Sequence, residues 1–142
     1  MKTIGIIGGM GPLATVDLYR RIVLRTKAAK DQDHVHVLID SNTNIPDRTK
    51  AIIANGEDPT VELIKSAKRL EQSGADFLIM PCNTAHYFID IIKESVHIPF
   101  INMLEDAAPP APASASATPL HDQTLLPAAA RAGARVRRPT AA

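Results

Sequence analysis

The hydrophobic positions of the first hundred residues follow two patterns. Short apolar runs rich in β-branched residues end in glycine, proline or polar residues, which is typical of strands buried in a parallel sheet. These runs predict strands at 2–9, 34–41, 75–81 and 98–103. The longer stretches between them carry apolar residues near helical spacing. They predict helices within 11–29, 58–74 and 83–95, and a loop that breaks into a short helix within 42–53.

Local signals mark where the predicted helices begin and end. Pro12 lies near the first turn of the first helix, where its missing N–H has no helical partner to lose. The helix within 58–74 has fuller signals. Asp58 can cap it, Pro59 can take the first helical position, and Gly74 can close it.

The alternation of strands and helices with short links predicts an α/β fold. We expect a single doubly wound domain with a parallel sheet of about four strands flanked by helices. In such sheets ligands bind beyond the carboxyl ends of the strands. Three polar or glycine-rich clusters fall at these ends: "GGMGP", "DSNTNIPDRT" and "PCNTAH". The sequence therefore predicts a binding site at one edge of the sheet.

The composition changes sharply after residue 106. Residues 1–106 carry 12 Lys or Arg and 14 Asp or Glu, whereas residues 107–142 carry 13 Ala, 6 Pro, four Arg and one acid. The second segment has too few large apolar groups to offset the chain entropy that folding costs. We therefore predict one domain at 1–106 and a disordered Ala/Pro/Arg-rich tail at 107–142. Such an abrupt change is typical of a truncated or frameshifted gene product.

The bulk numbers exclude several classes of function. The formal net charge is +1, so nothing indicates a nucleic-acid partner or an anionic membrane surface. No apolar stretch approaches the roughly 20 residues that span a bilayer. A single cysteine excludes an internal disulfide and a multi-cysteine metal site, and favours a reducing, cytoplasmic setting. His34 and His36 share a strand face without an evident third ligand, so we predict no metal.

The glycine-rich cluster leaves three interpretations open. Gly9, Gly11 and Ala14 formally meet the dinucleotide fingerprint between a strand and a helix. Glycine lets a ligand approach the backbone, and a helix start favours an anion. However, Pro12 removes one N–H group, and Asp40 comes late for the acid that binds a ribose. The cluster is a structural tight turn, an anion-binding loop, or part of a nucleotide site.

Cys82, the only cysteine, lies between a predicted strand and a predicted helix. N–H groups and the helix dipole stabilise a thiolate there, and a thiolate serves as a nucleophile or as a base for a carbon-bound proton. The alternative is a buried packing thiol. Asn83 and Thr84 can cap the helix and offer donors to a ligand. His86 either pairs with Cys82 or packs, and Arg48 is either a solvated charge or a carboxylate clamp.

Taken together, the motifs resemble the aspartate/glutamate racemase family, and specifically its aspartate racemase branch. The matching stretches are "IGIIGGMGPLAT" with Tyr19, "SNTNIPDRT", "GADFLIMPCNTAH" and "IPFINM", which extend over residues 1 to about 106. The resemblance implies an isomerase without a cofactor. One cysteine thiolate removes the α-proton of an acidic amino acid, aspartate or glutamate, and a second cysteine reprotonates the opposite face. It also implies a homodimer as the expected assembly.

Carried onto this chain, the resemblance makes Cys82 one of the two acid/base residues. The α-carboxylate would be held by Asn83 and Thr84 with the backbone around Met10 and Gly11, and the side-chain carboxylate by Arg48. The family's second half, which supplies the second cysteine, is not recognisable after residue 106. We therefore expect a racemase whose activity is impaired. The alternative is a truncated, non-catalytic domain that at most binds acidic ligands or a partner.

Overall fold

Three parallel strands form the centre of the structure, a computed structural model that describes residues 1–102. The strands are β1 (Ile4–Gly8), β2 (Val37–Ser41) and β3 (Phe77–Ile79), in the order β2-β1-β3. The helices are α1 (Pro12–Arg25), α2 (Arg48–Ile53), α3 (Thr60–Gln72) and α4 (Ile89–Ser95). Single 3₁₀ turns lie at Asp31–Asp33 and Thr84–Phe88. The predicted tail at 107–142 lies outside the described residues.

The strand register brings the three carboxyl ends to one edge of the sheet. Ile4 of β1 pairs with Val37 on one side and with Phe77 on the other. Two residues on, Ile6 pairs with Ile39 and Ile79. Because all pairs are parallel, the segments that follow β1, β2 and β3 emerge together. This confirms the predicted α/β fold with a parallel sheet.

Two glycines of β1 show that helices cover both faces of this sheet. A Cβ atom at Gly5 would lie 3.3 Å from Leu70 of α3, and one at Gly8 would lie 2.5 Å from the Thr15 hydroxyl of α1. Residues an odd number apart in a strand point to opposite faces. Thus α1 and α3 lie on opposite sides of the sheet, as a doubly wound domain requires.

The main apolar core lies on the α3 side. Leu63, Ala67 and Leu70 of α3 are at most 3% exposed and pack with Leu78 of β3 and Ile92 of α4. Burial of one such leucine or isoleucine contributes about 1.5–3 kcal/mol. This face therefore supplies most of the stabilisation that the described part of the chain can draw on.

Helix α1 is covered far less well. Its only buried residue is Thr15, which faces the glycines of β1. Five large apolar or aromatic side chains form what we call the exposed face of α1: Leu13, Val16, Tyr19, Val23 and Leu24. Leu13 is 83% exposed and Leu24 is 66% exposed. The periodicity predicted this helix correctly. Within residues 1–102 its apolar side is covered only in part: Tyr19 and Val23 line a cavity with His34 and Val35, whereas Leu13 and Leu24 stay exposed.

The fourth predicted strand, at 98–103, is reduced to one parallel bridge between Leu78 and Phe100 within the described residues. Leu78 N–H donates to the Pro99 carbonyl at 2.9 Å, and Ile101 N–H donates to the Leu78 carbonyl at 2.9 Å. Pro99 has no N–H to extend the ladder. Three strands and a bridge therefore replace the expected four strands. Met103, the last residue of that prediction, lies outside the described range.

The structure places the ends of α3 close to the predicted ones, and its start within one residue. Asp58 Oδ1 accepts from the Thr60 N–H at 2.9 Å, so its carboxylate serves the first helical donor. The helix itself starts at Thr60, one residue after Pro59. Gly74 closes the other end with φ +100°, in the left-handed region that glycine adopts without strain.

The helix predicted within 83–95 divides in two. The Thr84–Phe88 segment winds as a 3₁₀ turn, and α4 begins at Ile89. The tighter turn begins two residues after Cys82, where the sequence pattern predicts an ordinary helix start. Cys82 therefore precedes a short 3₁₀ turn and not a long α-helix.

Candidate active site

The loop after β1 contains two glycines in different surroundings. Gly9 is packed tightly, whereas Gly11 faces open space. Gly9 has φ +92°, and a Cβ atom there would lie 2.5 Å from the backbone of Asn42. Its N–H donates to Thr15 Oγ1 at 3.0 Å. A Cβ atom at Gly11 would meet nothing within 4 Å. Met10 is 6% exposed and belongs to the core, so contact with a ligand there falls to its backbone.

Asn42, directly after β2, ties this edge of the sheet to α3. Its side-chain amide donates to Glu62 at 3.1 Å and to Ser66 at 2.9 Å. Its Oδ1 accepts from the Asn44 N–H at 3.1 Å. The Asn42 amide and then Lys65 lower the pKa of the Glu62 carboxyl. Asn42 is not among the residues that the sequence predicts for the site, because one asparagine in a turn-rich segment carries no signal of burial.

Arg48 is the first residue of α2, beside the capping residue of that helix. Asp47 accepts from the Lys50 N–H at 3.0 Å, and this hydrogen bond lowers the pKa of the Asp47 carboxyl. Arg48 Nη1 makes two long bonds, 3.4 Å to the Ile45 carbonyl and 3.3 Å to the Pro46 carbonyl. Its buried Nε has no partner among the described residues. The guanidinium is thus held loosely and keeps donors available.

Cys82 follows β3 with a free, partly buried thiol. Its Sγ lies 3.3 Å from the Thr84 hydroxyl. The prediction that Asn83 or Thr84 caps a helix is wrong, since the turn has no side-chain cap. Asn83 adopts helical angles of φ −63° and ψ −43°, whereas a capping residue is normally extended. The Thr84 hydroxyl contacts the thiol instead.

His86 is a packing histidine, one of the two alternatives that the sequence left open. It is 6% exposed, and its ring meets Phe100 edge-on, with centroids 6.5 Å apart. Its Nδ1 lies 2.6 Å from the carbonyl oxygen of Cys82, so the recorded hydrogen bond reaches the backbone and not the thiol. Burial lowers the pKa of the imidazole, and the bond to Cys82 opposes this only in part.

A cavity of about 320 Å³ opens between α1 and the segment that follows β3. It is lined by Ala14, Asp17, Leu18, Arg21, Pro81 and Asn83. Asp17 and Arg21 form an ion pair at 2.9 Å on its wall. This volume is at the lower end of small-molecule pockets, which span roughly 300–1,000 Å³. The structure thus brings Asn83 beside α1 in a space that suits a small metabolite.

The other predicted site residues surround this edge without lining the cavity. Met10 and Cys82 belong to one apolar cluster. Helix α2, which begins at Arg48, packs against the Thr84–Phe88 turn. In residues 1–102 no group of three or more histidine, cysteine or acidic side chains is placed to hold a metal ion. No helix in that range is long and apolar enough to cross a bilayer.

These features define a class: a doubly wound α/β domain with a free thiol and an adjacent hydroxyl at the carboxyl edge of its sheet. The family model described as Asp/Glu/hydantoin racemase matches residues 7–134. The chain belongs to this family, which confirms the resemblance seen in its motifs. Because the match runs past residue 106, the domain boundary at that residue stays a prediction.

Individual relatives agree with this assignment. The broad specificity amino-acid racemase RacX of Bacillus subtilis is 29% identical over 107 residues, which are 72% of this chain and 46% of RacX. An aspartate racemase structure from Picrophilus torridus is 39% identical with a TM-score of 0.69, covering 74% of this chain and 45% of its own. The aspartate racemase homologue from Pyrococcus horikoshii is 28% identical with a TM-score of 0.61, covering 74% and 46%. This chain therefore spans slightly less than half the length of these relatives.

Proposed function

We propose that this chain is a cofactor-independent racemase domain for an acidic amino acid, with Cys82 as the acid/base that exchanges the α-proton. The observation that carries the proposal is the free Cys82 thiol at the carboxyl edge of the sheet, 3.3 Å from the Thr84 hydroxyl. Relatives that are themselves described as an aspartate racemase and a broad specificity amino-acid racemase support it.

The proposed step moves one proton. The thiolate of Cys82 takes the proton from Cα, so that the C–H bond breaks and an S–H bond forms. The electron pair left on Cα delocalises into the α-carboxylate, which needs hydrogen-bond donors for the added charge. We assign these donors to Asn83 and Thr84 with the backbone of Met10 and Gly11. Support comes from the exposed Asn83 on the cavity wall and from the open space at Gly11.

Arg48 is the proposed ligand of the substrate's side-chain carboxylate. Its two bonds to the Ile45 and Pro46 carbonyls are long, at 3.4 Å and 3.3 Å, and its Nε has no partner in residues 1–102. A guanidinium offers five donors in a planar fork that matches a carboxylate. An acidic side chain would satisfy these donors better than a neutral one, which favours aspartate or glutamate as substrate.

The single thiol limits what one chain does alone. Inversion at Cα needs a base on one face and an acid on the other, but Cys82 is the only cysteine. We therefore propose that an isolated chain returns the proton to the face it came from more readily than it racemises. Proton exchange with retention is the activity expected of one thiol, and racemisation is the impaired one.

We propose a homodimer as the assembly that brings in a second thiol. The exposed face of α1 (Leu13 at 83%, Val16 at 60%) adjoins the cavity beside Asn83, because Ala14 and Leu18 of the same helix line it. A second chain seated on this face would bury apolar side chains and bring its own Cys82 towards the cleft. Sedimentation of the wild type and of Leu13→Glu tests this. We expect self-association in the wild type and loss of it in the variant.

A deuterium experiment tests the proposed reaction. L-aspartate in D₂O with the chain should lose its α-proton NMR signal, and Cys82→Ser should abolish the loss. Ser73→Ala, on the surface at the end of α3, is the control that should behave as the wild type. An exchange rate equal to that of buffer, with the chain folded by circular dichroism, would sink the proposed activity.

A second candidate function is a domain that binds acidic ligands without turnover. The chain spans 45% of the aspartate racemase structure and holds one cysteine, and both facts favour it. Calorimetry with L-aspartate and succinate separates the two candidates. Heat of binding for both ligands without deuterium exchange supports a binding domain, whereas exchange supports the racemase.

We also propose that the chain works in a reducing, cytoplasmic setting. The proposed reaction uses Cys82 as a thiol, and the thiol is free and partly exposed at the sheet edge. An oxidising compartment would turn such a thiol into a disulfide with another molecule. Loss of exchange after treatment with glutathione disulfide, restored by dithiothreitol, is the expected sign of this requirement.

A further inference from the structure

We infer that His86 is a positioning residue: its imidazole holds the peptide between Cys82 and Asn83 so that the Asn83 N–H faces the cleft as an anion donor. This role belongs to the proposed proton exchange, because the anion that the N–H would meet is the α-carboxylate of the substrate. One hydrogen bond, one ring contact and the geometry of one peptide support it.

The hydrogen bond fixes the tautomer of His86. Nδ1 lies 2.6 Å from the carbonyl oxygen of Cys82. A carbonyl oxygen only accepts, so Nδ1 must carry the proton that it donates. In the neutral ring Nε2 is then bare, and this atom is buried without a partner in residues 1–102. The neutral ring therefore has one donor, Nδ1–H, and this donor points at the backbone carbonyl of Cys82.

The ring is also held in place from the other side. His86 is 6% exposed and meets Phe100 edge-on, at an interplanar angle of 89°. Phe100 is itself fixed by its bridge to Leu78 of β3. The imidazole cannot swing away from Cys82 without opening this contact. The position of the carbonyl is thus set by the core and not by the surface loop that contains it.

The geometry of the Cys82–Asn83 peptide links the position of the Cys82 carbonyl to the direction of the Asn83 N–H. The only cis peptide in the described range is Met10–Gly11, so the Cys82–Asn83 peptide is trans. In a trans peptide the C=O and N–H bonds point in opposite directions. Since the carbonyl of Cys82 points at the His86 ring, the Asn83 N–H points away from that ring. Asn83 is exposed and lines the 320 Å³ cavity, where this donor meets a ligand.

The hydrogen bond from His86 affects the strength of the Asn83 N–H as a donor as well as its direction. A hydrogen bond to the carbonyl polarises the whole amide, which strengthens the N–H of the next residue as a donor. The Thr84 hydroxyl, 3.3 Å from Sγ, follows in the same turn. Fixing the Cys82–Asn83 peptide therefore orders the thiol, the N–H and the hydroxyl together.

Two variants separate positioning from packing. His86→Asn keeps an N–H donor near the position of Nδ1 but removes the ring. His86→Phe keeps a ring against Phe100 but removes the donor. If His86 served only to fill space, the Phe variant would be the milder of the two. If it positions the peptide, the Asn variant must be milder.

The rate of alkylation of Cys82 by iodoacetamide near neutral pH is the first readout. We expect His86→Phe to slow it about fivefold or more, which is the effect of roughly one hydrogen bond, and His86→Asn to stay within about twofold of the wild type. Succinate binding by calorimetry should follow the same order. Equal losses in both variants, or any other order of the three alkylation rates, overturn the inference. Circular dichroism establishes that each variant is folded.

The wild type supplies a test that needs no variant. Nitrogen NMR of the imidazole should show a protonated Nδ1 and a bare Nε2, and a proton on Nε2 alone would overturn the inference. This measurement decides the matter if His86→Phe does not fold. Alkylation and tautomer need no substrate, so they remain decisive even if the chain exchanges no deuterium. Failure of the proposed reaction and failure of this inference are thus told apart.

Discussion

At the scale of single residues, two glycines in one loop have opposite requirements. Gly9 has φ +92° and no room for a Cβ atom beside Asn42, whereas Gly11 faces open space. We expect Gly9→Ala to lower the free energy of unfolding by about 1–3 kcal/mol, because it adds strain at a positive φ. Gly11→Ala should change it by less than about 0.5 kcal/mol. Urea denaturation of both variants measures this, and equal losses would contradict the packing role of Gly9.

The two glycines, Gly9 and Gly11, also separate an effect on stability from an effect on ligand binding. Under the proposed function the α-carboxylate lies against the backbone at Gly11, so a methyl group there would obstruct it. We expect Gly11→Ala to bind aspartate about tenfold more weakly, a loss of the order of one good hydrogen bond to a charged group. Calorimetry is the measurement. Unchanged affinity would remove Gly11 from the site but would leave Cys82 in it.

Burial of His86 makes stability depend on pH in a defined window. The pKa of the folded imidazole lies below its unfolded value of about 6.5, so the unfolded state binds the proton more readily. The contribution of the neutral ring is complete above pH 6.5 and is lost as the pH falls towards the folded pKa. We expect the free energy of unfolding to decrease from pH 7 to 5.5, and the decrease to be smaller in His86→Asn. Asp47 and Glu62 lose their contributions only at lower pH, since their lowered pKa values are those of carboxyls.

At the scale of elements, α2 depends on its cap. This helix has only six residues, and Asp47 accepts the Lys50 N–H at its start. We expect Asp47→Ala to lower the urea midpoint and to weaken aspartate binding, because Arg48 is the first residue of the helix. Asp47→Asn should keep both, since asparagine caps as well as aspartate. Weakened binding in both variants would point to the charge and not to the cap.

The two long helices should respond differently to the loss of apolar side chains. Leu63 of α3 is fully buried, so Leu63→Ala should cost about 2–5 kcal/mol of unfolding free energy. Leu24 of α1 is 66% exposed, so Leu24→Ala should cost less than about 0.5 kcal/mol. Chemical denaturation of both variants at low chain concentration makes the comparison. A large loss at Leu24 would mean that another part of the chain covers α1.

The elements that the sequence predicted well are those with strong local signals. Helix α3 has an apolar stripe, an Asp58 carboxylate that accepts from the Thr60 N–H at its start, and Gly74 at positive φ after its end. The predicted fourth strand is a single bridge within the described residues, and Pro99 lacks the N–H that would extend it on the amino side. The split at Phe88 and the buried Asn42 could not be read from local patterns. Both depend on contacts between segments that are far apart in the chain.

The position of the candidate residues at one edge of the sheet was predictable for a related reason. Parallel topology brings the carboxyl ends of the strands to one edge, so Cys82 and the glycine loop could be placed together without coordinates. The contact between His86 and the Cys82 carbonyl could not, because spacing alone did not say which atom the imidazole meets. Sequence therefore indicated which residues meet at this edge of the sheet, and the structure supplied the hydrogen bonds between them.

At the scale of the whole molecule, the single thiol and the exposed face of α1 predict how rates depend on concentration. Exchange with retention uses one Cys82, so its rate per chain should not change with chain concentration. Racemisation uses two thiols in the proposed dimer, so its rate per chain should rise as chains associate. Deuterium exchange and polarimetry over a concentration series measure the two. A constant ratio would rule out the dimer as the source of the second acid.

The central place of β1 has a consequence for how this chain reaches its fold. Of the three described strands, the first in the chain is the one that both others must join, and its partners begin only at Val37 and Phe77. With no hairpin in the described sheet, each pairing closes a long loop, which slows folding relative to a chain of local contacts. At 5–20 residues per second, the emerging apolar segment of β1 would wait several seconds for β3. During translation we therefore expect this apolar segment to stay unpaired until Phe77 has emerged.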